Sequence, residues 1–244
     1  MDTVMQGTLE GAQVVIVGGS SGLGLAAAAA AKARGAEVTL VGRTPAKLDV
    51  AATRIGGART AVADIADRNS VEAVFGNLAR VDHLVITAGG LQLGRLAESD
   101  PDWLLEEVQQ RIAGPLYAIK AALPLMPPTG SIVLTGGQFS DRPPGNGESV
   151  IAAAVRGVEA LARSLALELR PIRVNVIAPG LIDTPLFDVF GPEGRASVFR
   201  ETAQKLPVGR TGRPEEVGEG IAFLLGNGYM NGEVLHIDGG GRLV

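Results

Sequence analysis

Short runs rich in β-branched residues alternate with longer helical patterns along almost the whole chain. The candidate strands cover residues 13–17, 37–41, 59–63, 83–87, 131–135, 173–177 and 234–237. The candidate helices cover residues 23–34, 45–55, 70–78, 101–125, 148–169 and 214–225. This alternation is typical of βαβ units, whose strands pair in parallel and whose helices cover the sheet. We therefore predict a three-layer α/β fold with a seven-stranded, doubly wound parallel sheet and helices on both faces.

No repeat, linker or change in composition divides the 244 residues, and 46% of them are hydrophobic. Because α/β folds of this length are commonly one unit, we expect residues 1–244 to form a single domain. Residues 181–213, called the lid segment below, depart from the alternation and contain several Pro and Gly residues, with a weak helical pattern at 196–204. Long connections in compact domains are often functional. We predict a mobile lid over a pocket, with a plain surface excursion as the alternative.

Charge and composition exclude several classes of function. The formal net charge of -4 comes without a basic run, which argues against a nucleic-acid partner. Because the chain has no Cys and two His residues, disulfides are impossible and a metal site is not expected. Residues 1–11 lack a signal-peptide pattern, and no apolar run reaches the ~20 residues of a membrane span. We expect a cytoplasmic protein with no membrane partner.

A buried strand, a glycine-rich turn and an alanine-rich helix follow one another near the start of the chain. Glycines at 18, 22 and 24 allow close backbone approaches, and the helix that follows offers free N–H groups and a partial positive charge. This arrangement suits the pyrophosphate of a dinucleotide, although such glycines can also serve packing alone. The predicted contacts at the turn are Gly18, Ser20, Ser21, Gly22, Leu23 and Gly24.

The end of the second strand indicates which dinucleotide would bind. An acidic residue there accepts from the ribose 2′-hydroxyl of NAD, whereas a basic residue attracts the 2′-phosphate of NADP. The sequence has Arg43 followed by Thr44, which favours NADP(H); an exposed arginine at a strand end is the alternative. After the third strand, Asp64 and Ile65 are candidates for adenine contacts, with a helix cap as the alternative for Asp64.

Several motifs in order resemble the short-chain dehydrogenase/reductase family along nearly the whole chain. The glycine turn is similar to the first motif of that family, and Thr87-Ala88-Gly89 is similar to its Asn-Ala-Gly strand end with Thr in place of Asn. The later matches are RVNVIAPG at 173–180, Asp183-Thr184, LARSLALEL at 161–169, the region 209–217 and IDGG at 237–240.

The resemblance implies a Rossmann-type fold, a small-molecule substrate and a homodimer or homotetramer. It also places a further group of residues against the nicotinamide half of the cofactor. These are Ala88, Gly89, Pro179, Gly180, Ile182 and Thr184.

The catalytic residues of the family are not found at the matching positions. Ile151 stands at the Tyr position and Val155 at the Lys position, the Ser position falls on Gly137 or Gln138, and Arg111 stands at the Asn position. A positioned general acid contributes about 10²–10⁴ in rate. Because neither aliphatic residue can transfer a proton, the usual alcohol dehydrogenation mechanism is not expected.

Two polar residues are the remaining catalytic candidates. Gln138 could donate a hydrogen bond to a polarised oxygen, and Arg111 could stabilise an oxyanion if it points into the cleft. A structural role is the alternative for each. Asp141, Arg142 and Glu148 lie in a polar loop at 140–149 and could relay a proton, with a solvated loop as the alternative.

Two functional hypotheses follow from this sequence. The first is an atypical NADP(H)-dependent oxidoreductase that acts on a small carbonyl, imine or enone. Iminium ions and conjugated enones, which need less acid assistance than ketones, fit it best. The second is a binding protein that keeps the NADP(H) site without catalysis and acts as a sensor or binds a partner protein.

Overall fold

The computed structural model describes residues 9–244, and its centre is a parallel sheet of seven strands. In chain order the strands are β1 (Gln13–Val17), β2 (Glu37–Gly42), β3 (Arg59–Val62), β4 (His83–Ile86), β5 (Ser131–Thr135), β6 (Arg173–Pro179) and β7 (Val234–Ile237). Their order across the sheet is β3-β2-β1-β4-β5-β6-β7. The predicted fold class is confirmed. The N-terminal segment without a signal-peptide pattern, residues 1–11, lies largely outside the described residues.

Eight α-helices connect these strands within residues 9–244. They are α1 (Gly22–Lys32), α2 (Pro45–Arg54), α3 (Arg68–Gly76), α4 (Pro101–Val108), α5 (Gly114–Ala122), α6 (Ser149–Glu168), α7 (Gly191–Lys205) and α8 (Pro214–Gly226). None of the helices in this range is long and apolar enough to cross a bilayer. The prediction that residues 1–244 form one domain stays a prediction.

Each face of the sheet packs against its own group of helices. Because successive side chains of a strand point to opposite faces, Val15 and Val17 of β1 join one core with α3, α5 and α6, whereas Val14 and Ile16 join the other with α1, α2 and α8. Both faces of the central strands are buried, which explains their nearly continuous apolar sequence. The central strands are therefore held by packing on both sides of the sheet.

The helix predicted at 101–125 is interrupted in the middle. A π-helical turn at Gln109–Ala113 separates α4 from α5, and a 3₁₀ turn at Leu123–Leu125 ends the segment. Pro115 lacks the N–H that an α-helix would donate to the carbonyl of Arg111, and its ring crowds that carbonyl. The chain widens into the π turn instead, and the amide N of Gly114 donates to the carbonyl of Gln109.

The lid segment has its own secondary structure. It contains a 3₁₀ turn at Pro185–Phe190 followed by α7, which is longer than the weak pattern at 196–204. Ile182 and Gly212 form an isolated parallel bridge. The amide N of Asp183 donates to the carbonyl of Gly212 at 2.9 Å, and the amide N of Gly212 donates to the carbonyl of Leu181 at 3.0 Å. The two ends of the segment are thus joined at its base, while its predicted mobility stays a prediction.

A buried histidine lies at the opposite end of the sheet from these carboxyl ends. His83 begins β4, and its Nδ1 is 2.8 Å from Oγ of Ser131 at the start of β5. Burial lowers the pKa of His83 from 6.5 to about 4, and the nearby charge of Arg173 acts in the same direction, against the smaller opposing effect of Asp82. The imidazole is therefore neutral in the folded protein at pH 7.

This histidine makes folding stability depend on pH. Below pH 6.5 the unfolded chain takes up a proton at His83, whereas the folded chain does so only near pH 4. Its contribution is therefore fully present above pH 6.5 and is lost as the pH falls toward 4. At 1.36 kcal/mol per pKa unit, we expect a loss of about 2–3 kcal/mol in the free energy of unfolding between about pH 7.5 and about pH 4.5.

Urea unfolding at the two pH values measures this loss. His83→Asn keeps a polar partner for Ser131 and should lack this part of the pH dependence, whereas His236→Asn, at the second histidine of the chain, should retain it. An unchanged pH profile in His83→Asn would show that the histidine does not carry the effect.

Candidate active site

The strand order reverses between β1 and β4, and a cleft of about 930 Å³ opens at their carboxyl ends. In open α/β sheets, a crevice at such a reversal is the usual ligand site. The cleft runs from the ends of β2 and β3, past the glycine turn and the end of β4, to a space beneath the lid segment. Of the cofactor residues predicted from the sequence, all except Thr44 line it.

The glycine turn is packed so closely on the end of β4 that it excludes side chains. Gly18 has φ +93°, and a Cβ there would lie 2.6 Å from the amide N of Ala88. A Cβ on Gly24 would lie 2.6 Å from Oγ1 of Thr87 and would overlap the carbonyl of Gly18. The side chain of Ser21, the residue before α1, does not bond to the first N–H groups of that helix. The turn therefore offers a backbone cradle for an anion.

Two basic side chains line the cleft where β2 ends. Arg43 and Lys47, one turn apart, are both exposed there, beside Ser20 of the glycine turn. Thr44 begins α2 and does not line the cleft. Lys47 was not predicted from the sequence, because a lysine in the first turn of a helix is usually an ordinary solvated residue. This end of the cleft is positively charged and suits a phosphate group.

Asp64 and Ile65 line the neighbouring wall of the cleft. The carboxylate of Asp64 accepts from the amide N of Ala66 at 3.0 Å, which forms a local turn. The cap of α3 is instead Asp67, whose carboxylate accepts from the amide N of Asn69. The alternative that Asp64 caps this helix was therefore wrong, and its predicted adenine contact stays a prediction.

The residues predicted for the nicotinamide half come together across the cleft from the glycine turn. Ala88 and Gly89 follow β4, and a group at the end of β6 faces them, made up of Pro179, Gly180, Ile182 and Thr184. A Cβ on Gly22 would lie 3.3 Å from Thr184, so the two sides of the cleft nearly touch at this point. A Cβ on Gly180 would lie 2.8 Å from Cα of Asp238, which accounts for a glycine there.

An apolar space, called the apolar chamber below, continues the cleft beneath the lid segment. Ile151 and Val155, at the Tyr and Lys positions of the resembled family, are each 2% exposed and line it. Its other apolar lining residues are Leu91, Leu93, Phe139, Leu186, Phe187, Phe190 and Val198. These residues were not predicted from the sequence, because they lie in loops and in the lid segment, where no motif marks them. The two side chains predicted at the Tyr and Lys positions are apolar, and neither can donate a proton.

Gln138 lies in the 3₁₀ turn Gln138–Ser140 and lines the cleft. Its Oε1 is buried and has no hydrogen-bond partner among residues 9–244. The same atom lies against the C-terminal 3₁₀ turn, because a Cβ on Gly241 would be 2.7 Å from it. Its predicted place at the Ser position of the family, for which Gly137 is the alternative, and its catalytic role both stay predictions.

Arg111 lies within the π turn and also reaches the cleft, and two of its three side-chain nitrogens donate to other residues. Its Nε donates to Oε2 of Glu107 at 2.6 Å, and one terminal nitrogen donates to the carbonyl of Gly90 at 2.6 Å. Glu107 is fully buried, and its other oxygen accepts from the amide N of Gln92 at 2.8 Å. This pair holds the loop after β4 against the π turn, which supports the structural alternative; the catalytic role stays a prediction.

The polar loop at 140–149 is held at both of its ends. Asp141 accepts from Arg156 of α6 at 2.8 Å and lies 3.1 Å from Nε2 of His236 on β7. At the other end, Glu148 is buried, lines the cleft and accepts from the amide N of Asn146 at 2.5 Å. Arg142 is exposed. Only Glu148 of the three candidates in this loop therefore reaches the cleft.

Comparisons with known proteins agree with this geometry. A family model described as enoyl-(acyl carrier protein) reductase matches residues 17–241. The short-chain dehydrogenase/reductase ATR9 of Stachybotrys chlorohalonatus is 32% identical, over 97% of this chain and 99% of its own length. The solved structure of MalC reductase/Diels-Alderase from Malbranchea aurantiaca superposes with a TM-score of 0.90 at 27% identity, over 97% of this chain and 98% of that one.

A third relative was solved with a bound cofactor. It is a small-chain dehydrogenase in complex with NADPH, with a TM-score of 0.83 and 28% identity over 96% of this chain and all of that one. Together, the matched family model, the relatives and the cleft define the class of protein. The chain belongs to the short-chain dehydrogenase/reductase family, whose members are oxidoreductases that act on small molecules.

The pair of Glu107 and Arg111 should be important for stability. Arg111→Met leaves the Glu107 carboxylate buried without a cation, and removal of one partner of a buried ion pair costs about 3–5 kcal/mol. We expect chemical denaturation to show a loss of about 3 kcal/mol in the free energy of unfolding. The double variant Glu107→Gln/Arg111→Met should recover part of it, because no unpaired charge is left.

Arg163→Met is the matched control, since Arg163 is an exposed arginine on α6. It should change the free energy of unfolding by less than about 0.5 kcal/mol. If Arg111→Met proved as stable as this control, the ion pair would not hold the loop.

Proposed function

We propose that this chain is an atypical NADP(H)-dependent oxidoreductase that transfers hydride to or from a small carbonyl, imine or enone. The observation that carries the proposal is the continuity of the cleft. A glycine cradle with two basic residues at one end opens directly into the apolar chamber at the other. A protein that only bound the dinucleotide would not need this second space.

The preference for NADP(H) rests on charge at the end of β2. Arg43 and Lys47 line the cleft there, and the end of β2 itself carries no acidic residue. An acidic residue there would accept a hydrogen bond from the ribose 2′-hydroxyl of NAD and would repel the 2′-phosphate of NADP. Two cations attract that phosphate. The relative solved with NADPH adds support from a protein of the same fold.

The mechanism follows from what each part of the cleft can do. A bound nicotinamide supplies or accepts a hydride. The glycine turn would bind the pyrophosphate of that cofactor, and the group at the end of β6 would orient its ring. Ile151 and Val155 would give the reacting atoms an apolar wall and can move no proton. Substrates whose product anion is stabilised, or whose reduction needs no proton, therefore suit this chamber better than simple ketones.

A second candidate function is a sensor or partner-binding protein that holds NADP(H) without catalysis. Two observations favour it. The Tyr and Lys positions are aliphatic, and Arg111 is committed to Glu107 and Gly90. We rank the sensor second because the apolar chamber beneath the lid segment is large enough for a substrate, and a sensor would not need that space.

We also propose a single-domain cytoplasmic protein that forms a homodimer or homotetramer. Exposed apolar side chains on neighbouring helices support the oligomer. Trp103 and Leu105 on α4 and Leu116 on α5 are each more than 40% exposed. Sedimentation equilibrium would measure the mass directly, and a monomer at micromolar concentration would contradict the oligomer.

The cofactor preference can be tested by removing the two cations. We expect Arg43→Ala and Lys47→Ala each to weaken NADPH binding about tenfold, because a hydrogen bond to a charged group contributes about 1.5–3 kcal/mol. The affinity for NADH should change little. Fluorescence titration of both cofactors measures the two constants.

Arg54→Ala is the control, because it removes an exposed arginine from the far end of α2. It should leave both affinities unchanged. Equal losses of NADPH and NADH binding in Arg43→Ala would mean that this residue does not read the 2′-phosphate.

A titration followed by a turnover screen distinguishes the two functions. The wild-type protein is titrated with NADPH and NADH and then incubated with ketones, enones and imines in the presence of the preferred cofactor. Tight NADPH binding with turnover of an enone or an imine is the expected result. Tight binding with no turnover in any class would favour the sensor, and no binding of either cofactor would exclude both.

A further inference from the structure

One charged side chain of the apolar chamber has no opposite charge beside it. Glu148 is 5% exposed and lines the cleft. Its Oε2 accepts from the amide N of Asn146, whereas Oε1 makes no hydrogen bond and no cation lies within 4 Å of the carboxylate, among residues 9–244. Buried carboxylates are normally paired, because removing a charge from water is costly.

Helical spacing places Glu148 in line with two aliphatic residues of α6 that line the cleft. Glu148 immediately precedes α6, and residues three and four apart share one face of a helix. Glu148, Ile151 and Val155 therefore form one stripe, and all three line the cleft. The carboxylate is about one helical turn from the position where the family places its Tyr. It does not cap α6, whose N-terminus has no side-chain cap.

The other charges of the cleft are already accounted for. Arg111 is paired with Glu107, while Glu201 and Lys205 lie exposed on α7 at the rim. Arg43, Lys47 and Asp64 line the opposite end of the cleft, where β2 and β3 end. Within the described part of the chain, the buried charge in the chamber is therefore negative and without a counter-ion.

Aromatic rings line the same cleft as this carboxylate. Three of the six Phe residues of the chain line the cleft, namely Phe139, Phe187 and Phe190. A ring face attracts an organic cation, and the attraction grows when water is excluded. A carboxylate and aromatic rings in an apolar space form a suitable site for an organic cation that is only weakly hydrated.

We propose that the substrate of this cleft is a cationic iminium compound, held by Glu148 and the aromatic wall of the chamber. This inference rests on the proposed oxidoreductase function and specifies its substrate class. A hydride, which a bound NADPH would deliver with its electron pair and so become NADP⁺, forms the new C–H bond at the iminium carbon. The C=N π bond breaks, and its electron pair moves to nitrogen, which becomes a neutral amine. The reaction balances without a proton, so aliphatic residues at 151 and 155 do not impede it.

The reaction also changes the charge that Glu148 faces. The substrate enters as a cation, and the product leaves the hydride-transfer step as a neutral amine. Glu148 therefore acts by binding and orienting the substrate, and it need not move a proton. A neutral ketone of the same shape would gain nothing from the carboxylate and would lack an acid at the Tyr position.

The test compares one cation with one neutral compound of similar size. N-methyldihydroisoquinolinium and tetralone are titrated calorimetrically into the protein saturated with NADP⁺, and each is then offered with NADPH. We expect tighter binding of the cation and reduction of the cation alone. Glu148→Gln should weaken cation binding and lower kcat/KM for the cation by about tenfold or more, as for a lost charge pair in a partly desolvated site. Tetralone binding should stay unchanged.

Two further variants separate charge from shape. Glu98→Gln removes an exposed carboxylate from the neighbouring loop and should match the wild-type protein. Glu148→Asp keeps the charge and should retain part of the cation binding that Glu148→Gln loses. Thermal unfolding of all three variants shows whether each is folded before binding is compared.

The outcomes distinguish the inference from the proposed function. Wild-type cation binding in Glu148→Gln, or an equal loss of cation and tetralone binding, would overturn the cation site. Reduction of tetralone but not of the cation would overturn the substrate class and leave the oxidoreductase intact. Cation binding that depends on Glu148, without reduction of any substrate, would support the site and overturn the oxidoreductase.

Discussion

The close approach between the turn after β1 and the end of β4 is the constraint on which the rest of the cleft depends. Gly18 lies against the backbone of Ala88, and Gly24 lies beneath Gly18 and Thr87. A side chain at either glycine would push α1 away from the sheet. The N-terminus of α1 would then no longer face the crevice, and the ends of β4 and β6 would lose their common wall.

Side chains predicted to stand at the catalytic positions of the family have other contacts in this structure. Arg111, predicted at the Asn position, is paired with a buried glutamate and fastens the loop after β4. Ile151 and Val155, predicted at the Tyr and Lys positions, form part of a hydrophobic wall. The buried carboxylate of Glu148 lies about one turn earlier, just before the same helix. Under the proposal made above, electrostatic attraction by this carboxylate takes the place of proton transfer.

Local pattern was sufficient to predict the sheet and many of the residues that line the cleft. The strands are short, apolar and bounded by turns, so all seven were placed within two residues of their ends. The π turn was not predicted, since a proline inside a helical pattern indicates a disturbance without specifying its form. Burial of Glu148 could not be predicted either, because a segment rich in Gly, Pro and charge looks solvated until tertiary packing covers it. The length of α7 was underestimated because none of its residues is fully buried to give a strong apolar period.

The bridge between Ile182 and Gly212 has a consequence for how such a protein can change over evolutionary time. The two ends of the lid segment are hydrogen-bonded to each other at its base. The residues between them therefore form an excursion that starts and ends at fixed positions. Insertions, deletions or wholesale replacement within that excursion need not disturb the strands that hold the dinucleotide. A scaffold of this kind can acquire a new substrate when this one segment is exchanged, while its strands stay the same.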